Sequence, residues 1–319
     1  VTKEKPKAID LFCGAGGSSW GAQSAGVEIV AGFDMWPVAE AVYKDNFPKA
    51  KFYGGPLEDH DPASIASELG KIDLIMASPE CTNHSVAKGN KPRCEKSRKT
   101  ALQVVRFASA FKPRWIVVEN VVSMKNWSRY DQFIRSIERL GYKTHVQSLN
   151  SADFGVPQAR RRLFILFDLE EAPSAVKLPR RKRRTAQEII DGNGAYQYSP
   201  LRTERRASAT LERADRAIAK LGARSPFLLV YYGSDAAGGW QRLDVPLRTI
   251  TTLDRFAYVK PDGVEHLMRM LQPAELKRAM GWPKKFRINH GTRRDKVKLV
   301  GNAVCPPVMK TIVKALICA

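Results

Sequence analysis

The stretch from Ala8 to Asp34 most narrows what this chain can fold into. An apolar run, Ala8–Phe12, enters the glycine-rich turn "CGAGG"; a helix-compatible segment, Ser18–Ala25, follows; a second apolar run, Val27–Phe33, ends on Asp34. The alternation continues with a helix over Val38–Asn46, a strand over Ile72–Met76, a helix around Thr100–Phe111 and a strand over Trp115–Val118 that ends on Glu119. Alternating strands and helices predict an α/β fold with a parallel, doubly wound sheet, whose ligands lie beyond the carboxyl ends of the strands. Asp34, Cys81 and Glu119 all fall at or just past such ends.

After a further strand, Leu163–Phe167, the composition changes to "EAPSAVKLPRRKRRTAQ", and the alternation is lost. A linker is expected near Ala172–Pro179. Helical patterning returns at Gln272–Met280, where Pro273 suits a first turn, and again after Pro307, so the chain is expected to re-enter its first domain.

The net charge of +21 is carried by three segments: Lys88–Lys99 has six basic residues against one acid, Lys177–Arg224 thirteen against five, and Lys277–Lys298 nine against one. Such local concentrations fit a cleft or face for a polyanion, because each Lys or Arg near a phosphate releases condensed counterions; the alternative is plain solvated charge. Five cysteines (Cys13, Cys81, Cys94, Cys305, Cys318) form no CxxC pair, which argues against a disulfide framework and a zinc site. No apolar run approaches the roughly eighteen residues of a membrane span, and the first ten residues lack a signal-peptide core, so a soluble, intracellular chain is expected.

Taken singly, the site residues leave alternatives open. A glycine-rich turn with glycines at 14, 16 and 17 binds a dinucleotide, S-adenosylmethionine or nothing. Asp34 is either a ribose acceptor or a helix N-cap. Cys81 is either a small buried hydrophobe or a nucleophile at a strand end, and His84 is either its partner or a loop residue facing elsewhere. Glu119 is either an N-cap or an acid partner for the thiol.

In order along the chain, "DLFCGAGG" (Asp10–Gly17), "PECTNHS" around Cys81, "ENV" (Glu119–Val121), "GVPQARRR" (Gly155–Arg162) and "GNAV" (Gly301–Val304) resemble the motifs DLFxGxGG, PPCQxFS, ENV, GVPQxRxR and GNAV of the cytosine-C5 DNA methyltransferases. The resemblance implies a Rossmann-like S-adenosylmethionine-dependent methyltransferase domain, residues 1–172 completed by 263–319, with a small inserted target-recognition domain over 173–262. It assigns Cys81 as nucleophile, Glu119 as the acid on the cytosine edge, and Arg162 and Arg160 as the arginines of QxRxR, with Arg162 facing the flipped base and Arg160 supporting the loop or a phosphate. Phe12, Gly14, Gly16, Asp34, Met35, Pro79 and Asn302 are carried over as contacts of the cofactor, S-adenosyl-L-methionine. Ser85, Lys88, Arg98 and the tract Arg180, Arg181, Lys182, Arg183 and Arg184 are expected to meet double-stranded DNA. A monomeric, cytoplasmic protein without a metal, of bacterial or phage origin, completes the expectation.

The chemistry explains the residue types. Cytosine C5 is a poor nucleophile until a thiolate adds at C6, and an acid at N3 and N4 lowers the barrier to that addition. A stacked base cannot reach such a site, so base flipping is implied. Four features depart from the family pattern: Glu80 replaces the second proline of PPCQ, Thr82 the glutamine, His84 the phenylalanine, and Pro56 an aspartate that holds the adenine amino group, with Glu58 or Asp59 as substitutes. Glu80 is expected to turn away from Cys81, toward its basic neighbours. The rival readings are the same chemistry on tRNA, whose branch carries a Cys-Phe-Thr tripeptide absent here, and a DNA-binding protein without activity.

Overall fold

The computed structural model describes residues 4–80, 100–192, 194–233 and 238–318. The first unit forms as its patterning requires: β1 (Lys7–Leu11), α1 (Gly17–Ser24), β2 (Glu28–Asp34) and α2 (Pro37–Asn46). β3 (Lys51–Gly54) and α3 (Pro62–Leu69) follow, then β4 (Leu74–Ala77), α4 (Ala101–Phe111), β5 (Trp115–Asn120), α5 (Tyr130–Glu138), β6 (Lys143–Asn150) and β7 (Arg161–Asp168). α3 begins with a strong local signal, since Asp61 accepts hydrogen bonds from the N–H groups of Ala63 and Ser64 and Pro62 occupies the first turn.

Seven strands make one sheet in the order β3-β2-β1-β4-β5-β7-β6. The order reverses between β1 and β4, which opens a crevice above their carboxyl ends. The parallel sheet carries one reversed strand: β7 runs antiparallel to both β5 and β6. Only residues 151–160 join β6 to β7, whereas a parallel return needs a crossover of about a dozen residues or more.

β4 and β5 are buried along their whole length, as strands covered on both faces must be. Alternation sorts their side chains: Leu74, Met76 and Val117 join a core with Ala22, Met309 and Ile312, while Ile75, Ile116 and Val118 face Phe107 and Phe133 on the other side. The chain does return, through α7 (Pro273–Ala279), α8 (Arg293–Asn302) and α9 (Pro306–Ile317). α9 lies so close on α1 that a Cβ at Gly21 would collide with Met309 and with the Pro306 carbonyl. The stretch Arg293–Ile317 is long and apolar enough to cross a membrane by composition alone, but it breaks between α8 and α9 and is mostly buried inside the fold.

The segment without clear alternation forms α6 (Ser208–Leu221) and a second, antiparallel sheet in the order β10-β9-β11-β12-β8: β8 (Ser199–Pro200), β9 (Phe227–Val230), β10 (Trp240–Arg242), β11 (Phe256–Asp262) and β12 (Glu265–Met270). Phe227 and Leu229 pack with Ala214 and Ala217 of α6, whereas Leu228 and Val230 join the main core. The boundary expected at 262/263 falls in the turn between β11 and β12, which pair from Ala257↔Met270 to Asp262↔Glu265, so this sheet ends after Met270. There the buried Arg269 meets Glu275 of α7 through two 2.7 Å hydrogen bonds, and the backbone N–H of Asp191 also donates to Glu275 at 2.8 Å.

Beneath the first turn of α1, Asp10 is fully buried, and its Oδ2 accepts from Ser19 N at 3.1 Å and Ser19 Oγ at 2.6 Å. Burial pushes the carboxyl up to about 7, with the Ser19 hydrogen bonds pulling the other way. The unfolded chain releases this proton near 3.8, so the folded state binds the extra proton between those limits and loses stability as pH rises through them, by roughly 4 kcal/mol in all. Asp10→Asn keeps an acceptor for Ser19 and removes the titration. Urea midpoints measured from pH 5 to 8 are expected to fall for the wild type relative to Asp10→Asn; parallel profiles would contradict the assignment.

Candidate active site

The turn after β1 is tightly specified. Phe12 has φ 58° and Gly14 φ 51°, and the former is a left-handed conformation that non-glycine residues seldom adopt away from functional sites. A Cβ at Gly14 would meet nothing within 4 Å, so the loop faces open space there. At Gly17 a Cβ would collide with the carbonyl of Val304, and Gly16 packs on Tyr43 and Phe47. The "GNAV" segment therefore forms part of the wall behind the glycine turn.

Asp34, at the end of β2, accepts the Gly14 N–H on Oδ2 at 2.8 Å and the Trp36 N–H on Oδ1 at 2.9 Å. It does not cap α2, whose N-cap position is Trp36. Burial raises its pKa, and the N–H groups of Trp36 and Gly14 and the charge of Lys298 oppose the rise. The Lys298 ammonium also sits 4.3 Å above the Trp36 ring. Met35 is 69% exposed beside this acid, and Asn302 is exposed at the end of α8. Pro56 precedes a short turn, Leu57–Asp59, that leaves Glu58 and Asp59 exposed.

At the end of β4, Pro79 is buried and its carbonyl accepts Asn120 Nδ2 at 3.0 Å, which ties the approach to Cys81 to the end of β5. Glu80 is exposed. Cys81, His84, Ser85, Lys88 and Arg98, and with them the expected partners of Glu80, lie outside the described residues.

Beside Asn120, Glu119 is 5% exposed and pairs across the sheet with Phe164 of β7. Arg162 is two residues from Phe164, hence on the same face, and its Nε lies 3.3 Å from Glu119 Oε1. The contact is an ion pair without hydrogen-bond alignment: among the described residues, none donates to that buried oxygen. Burial pushes the Glu119 carboxyl up, and the charges of Arg162 and, after it, Arg160 hold it back.

Arg160 lies inside the fold. It is 2% exposed, and its guanidinium donates to the carbonyls of Ile250 at 3.0 Å and Gly301 at 2.8 Å. It is a brace between the segment leaving the second sheet's strand β10 and the "GNAV" turn. Neighbouring Gln158 does similar work, accepting Ile250 N at 2.9 Å and donating to the Ala279 carbonyl at 3.3 Å. The basic tract also divides: Arg183 pairs with Asp153 at 2.6 Å and Arg184 with Glu188 at 2.8 Å, Arg181 lies against Gly155, and Arg180 and Lys182 are exposed.

Sequence reasoning missed Asn120, Gln158 and Lys298. The first two sit inside "ENV" and "GVPQ", where a neutral amide beside a strand end was a usable signal for a backbone clamp; Lys298 was counted only as one charge of a cluster. No group of three or more His, Cys, Asp or Glu residues that could hold a metal occurs among the described residues.

Arg160→Met strands two buried carbonyls, each worth about 1–3 kcal/mol when unpaired. Chemical denaturation is expected to show a loss of roughly 2–6 kcal/mol; a loss under about 1 kcal/mol would show that the brace carries little load.

Residues 6–318 match the family described as C-5 cytosine-specific DNA methylase. The type II methyltransferase M.AgeI of Thalassovita gelatinovora is 34% identical over 166 residues, half of this chain but only 38% of that relative's length. The type II methyltransferase M.HindV of Haemophilus influenzae is 27% identical over 98% of this chain and 96% of its own. In fold, the chain is similar to the Entamoeba histolytica methyltransferase EhMeth, with TM-score 0.72 and 18% identity over 98% of each. With the family profile running from the strand before the glycine turn to the last helix, the chain belongs to the C-5 cytosine-specific DNA methylase family.

Proposed function

We propose that this protein transfers a methyl group from S-adenosyl-L-methionine to C5 of a flipped cytosine in duplex DNA, through a covalent adduct on Cys81. The observation that carries the reading is Glu119 Oε1, a buried carboxylate oxygen at a strand end, held 3.3 Å from Arg162 and without an aligned donor among the described residues. A cytosine edge supplies what it lacks. Its N4 amino group donates a hydrogen bond, and its N3 accepts a proton.

The residues fit the cofactor. Open space above Gly14 and the carboxylate of Asp34 at the end of β2 form a cradle that would hold it, Asp34 accepting the ribose hydroxyls. Phe12, Gly16, Met35, Pro79 and Asn302 would complete the contacts. When bound, the cofactor supplies an electrophilic methyl group.

Cys81 adds as a thiolate to C6 while Glu119 gives a proton to N3, so the ring electrons collect at C5. After methylation, the C5 proton leaves to solvent, the S–C6 bond breaks to restore the C5–C6 double bond, and the N3 proton returns to Glu119. Burial suits Glu119 to this role, because it keeps the carboxyl protonated to a higher pH than an ordinary glutamate. Asn120 fixes the approach to Cys81 by holding the Pro79 carbonyl. The second sheet, reached through the basic tract, is the proposed recognition unit, with Arg180 and Lys182 as phosphate contacts.

Bisulfite sequencing of DNA from cells expressing the protein tests the reading: methylated cytosines in one short context are expected, and unmodified DNA would refute it. Cys81→Ser is expected to abolish transfer, and DNA carrying 5-fluorocytosine should trap the wild type at Cys81, because fluorine cannot leave as a cation. An adduct at Cys94 would move the nucleophile.

Glu119→Ala is expected to lower kcat by roughly 10²–10⁴-fold. Activity that depends on protonated Glu119 falls as pH rises through its raised pKa. Arg162→Met removes the nearest opposing charge, so that alkaline limb should move to higher pH. A shift to lower pH would contradict the pairing.

A further inference from the structure

A second concave site lies on the face of the sheet covered by α1 and α9, between α9 and the chain segment that follows β7. It is a cavity of about 830 Å³, within the range of ligand-binding pockets. Its apolar lining includes the buried Val176, Pro306 and Phe154, with Pro307 and Trp20 beside them. Its rim is cationic on both walls: Lys177 and Arg181 come from the linker, Lys310 and Lys314 from α9, and no acidic side chain lines it among the described residues. Lys310 and Lys314 are four residues apart and so stand on one helix face. The linker wall is held in place by the side chain of Gln147, which accepts Val176 N at 2.8 Å and donates to its carbonyl at 3.1 Å.

The geometry points to this groove as a docking site for a short, extended acidic peptide of a partner protein, with carboxylates on the two cationic rims and small apolar side chains on the floor. Length supports a peptide. The groove follows α9 from Pro306 to Ala315, about 14 Å at 1.5 Å per residue, which spans roughly four residues of extended chain at 3.3 Å each. Alternation in such a strand sends successive side chains to opposite sides, as a floor and a rim of different chemistry require.

The lining disfavours nucleic acid. Bases would need exposed flat rings to stack on, and Phe154 is only 1% exposed. Trp20, the indole at the groove, already receives Phe286 and Phe47 edge-on, at 5.1 and 6.1 Å, with the Lys285 ammonium 5.3 Å from its ring centre. The cations here are separate from Arg180 and Lys182, so part of the basic tract serves this groove and not the DNA.

Fluorescence anisotropy with a fluorescein-labelled Glu-Leu-Glu-Leu-Glu peptide tests the proposal on the full chain. Saturable binding is expected, weakened at least tenfold by Lys310→Glu with Lys314→Glu and by Lys177→Glu on the opposite wall, with methyl transfer unchanged in all variants. Pentaglutamate should bind at least tenfold more weakly than the alternating peptide. Absence of saturation at millimolar peptide, equal binding by the folded variants (checked by circular dichroism) or equal affinity for pentaglutamate would overturn it. So would displacement of the peptide by a short DNA duplex together with weaker duplex binding by the Lys310/Lys314 variant, which would assign the surface to nucleic acid.

Discussion

The buried guanidinium of Arg160 is the interaction on which the arrangement of this protein depends. A charge with 2% exposure is costly unless its donors are satisfied, and here two of them meet main-chain carbonyls from distant parts of the chain, Ile250 and Gly301. One belongs to the segment that closes the second sheet's region, the other to the turn that backs the glycine loop. Arg160 itself lies between β6 and β7, two residues before the arginine paired with Glu119. The buried acid at the end of β5, the glycine turn and the second sheet thus share a single reference point.

The same economy of position governs the carboxylates. Asp10, Asp34 and Glu119 are all raised by burial, but for each the surroundings differ in what opposes the rise. Asp10 has a serine and stays structural; Asp34 has two backbone N–H groups and a lysine, and faces the open side of the loop; Glu119 has arginines that offer charge without aligned donors. Asp10 and Glu119 each keep one buried oxygen without a partner among the described residues, but Asp10 is fully enclosed beneath α1, whereas Glu119 stands at the carboxyl end of β5 beside Arg162.

Much of this was legible in sequence, and the reasons are physical. Long buried strands such as Trp115–Asn120 announce themselves as apolar runs, and the acids near their ends mark the carboxyl edge of the sheet. β7 looks like its neighbours because strand direction leaves no trace in composition; it is decided by the length of a connection. β8 and β10 have two and three residues, too few for periodicity to register. Arg160 and Arg162 differ by two positions and one residue type separates neither, so their opposite roles emerge only once the fold buries one among carbonyls and sets the other beside a carboxylate.

The close packing of Gly17 and Gly21 against Val304, Pro306 and Met309 has a consequence for synthesis in the cell. The glycine turn is made first, yet its wall comes from a segment about 290 residues later in the chain. At about 5–20 residues per second, roughly 15–60 seconds pass before that wall exists. During this interval α1 presents a small-residue surface with nothing on it. A ribosome-bound chain therefore exposes to chaperones and proteases a glycine face that the finished protein covers with α9, and losing that helix would uncover it.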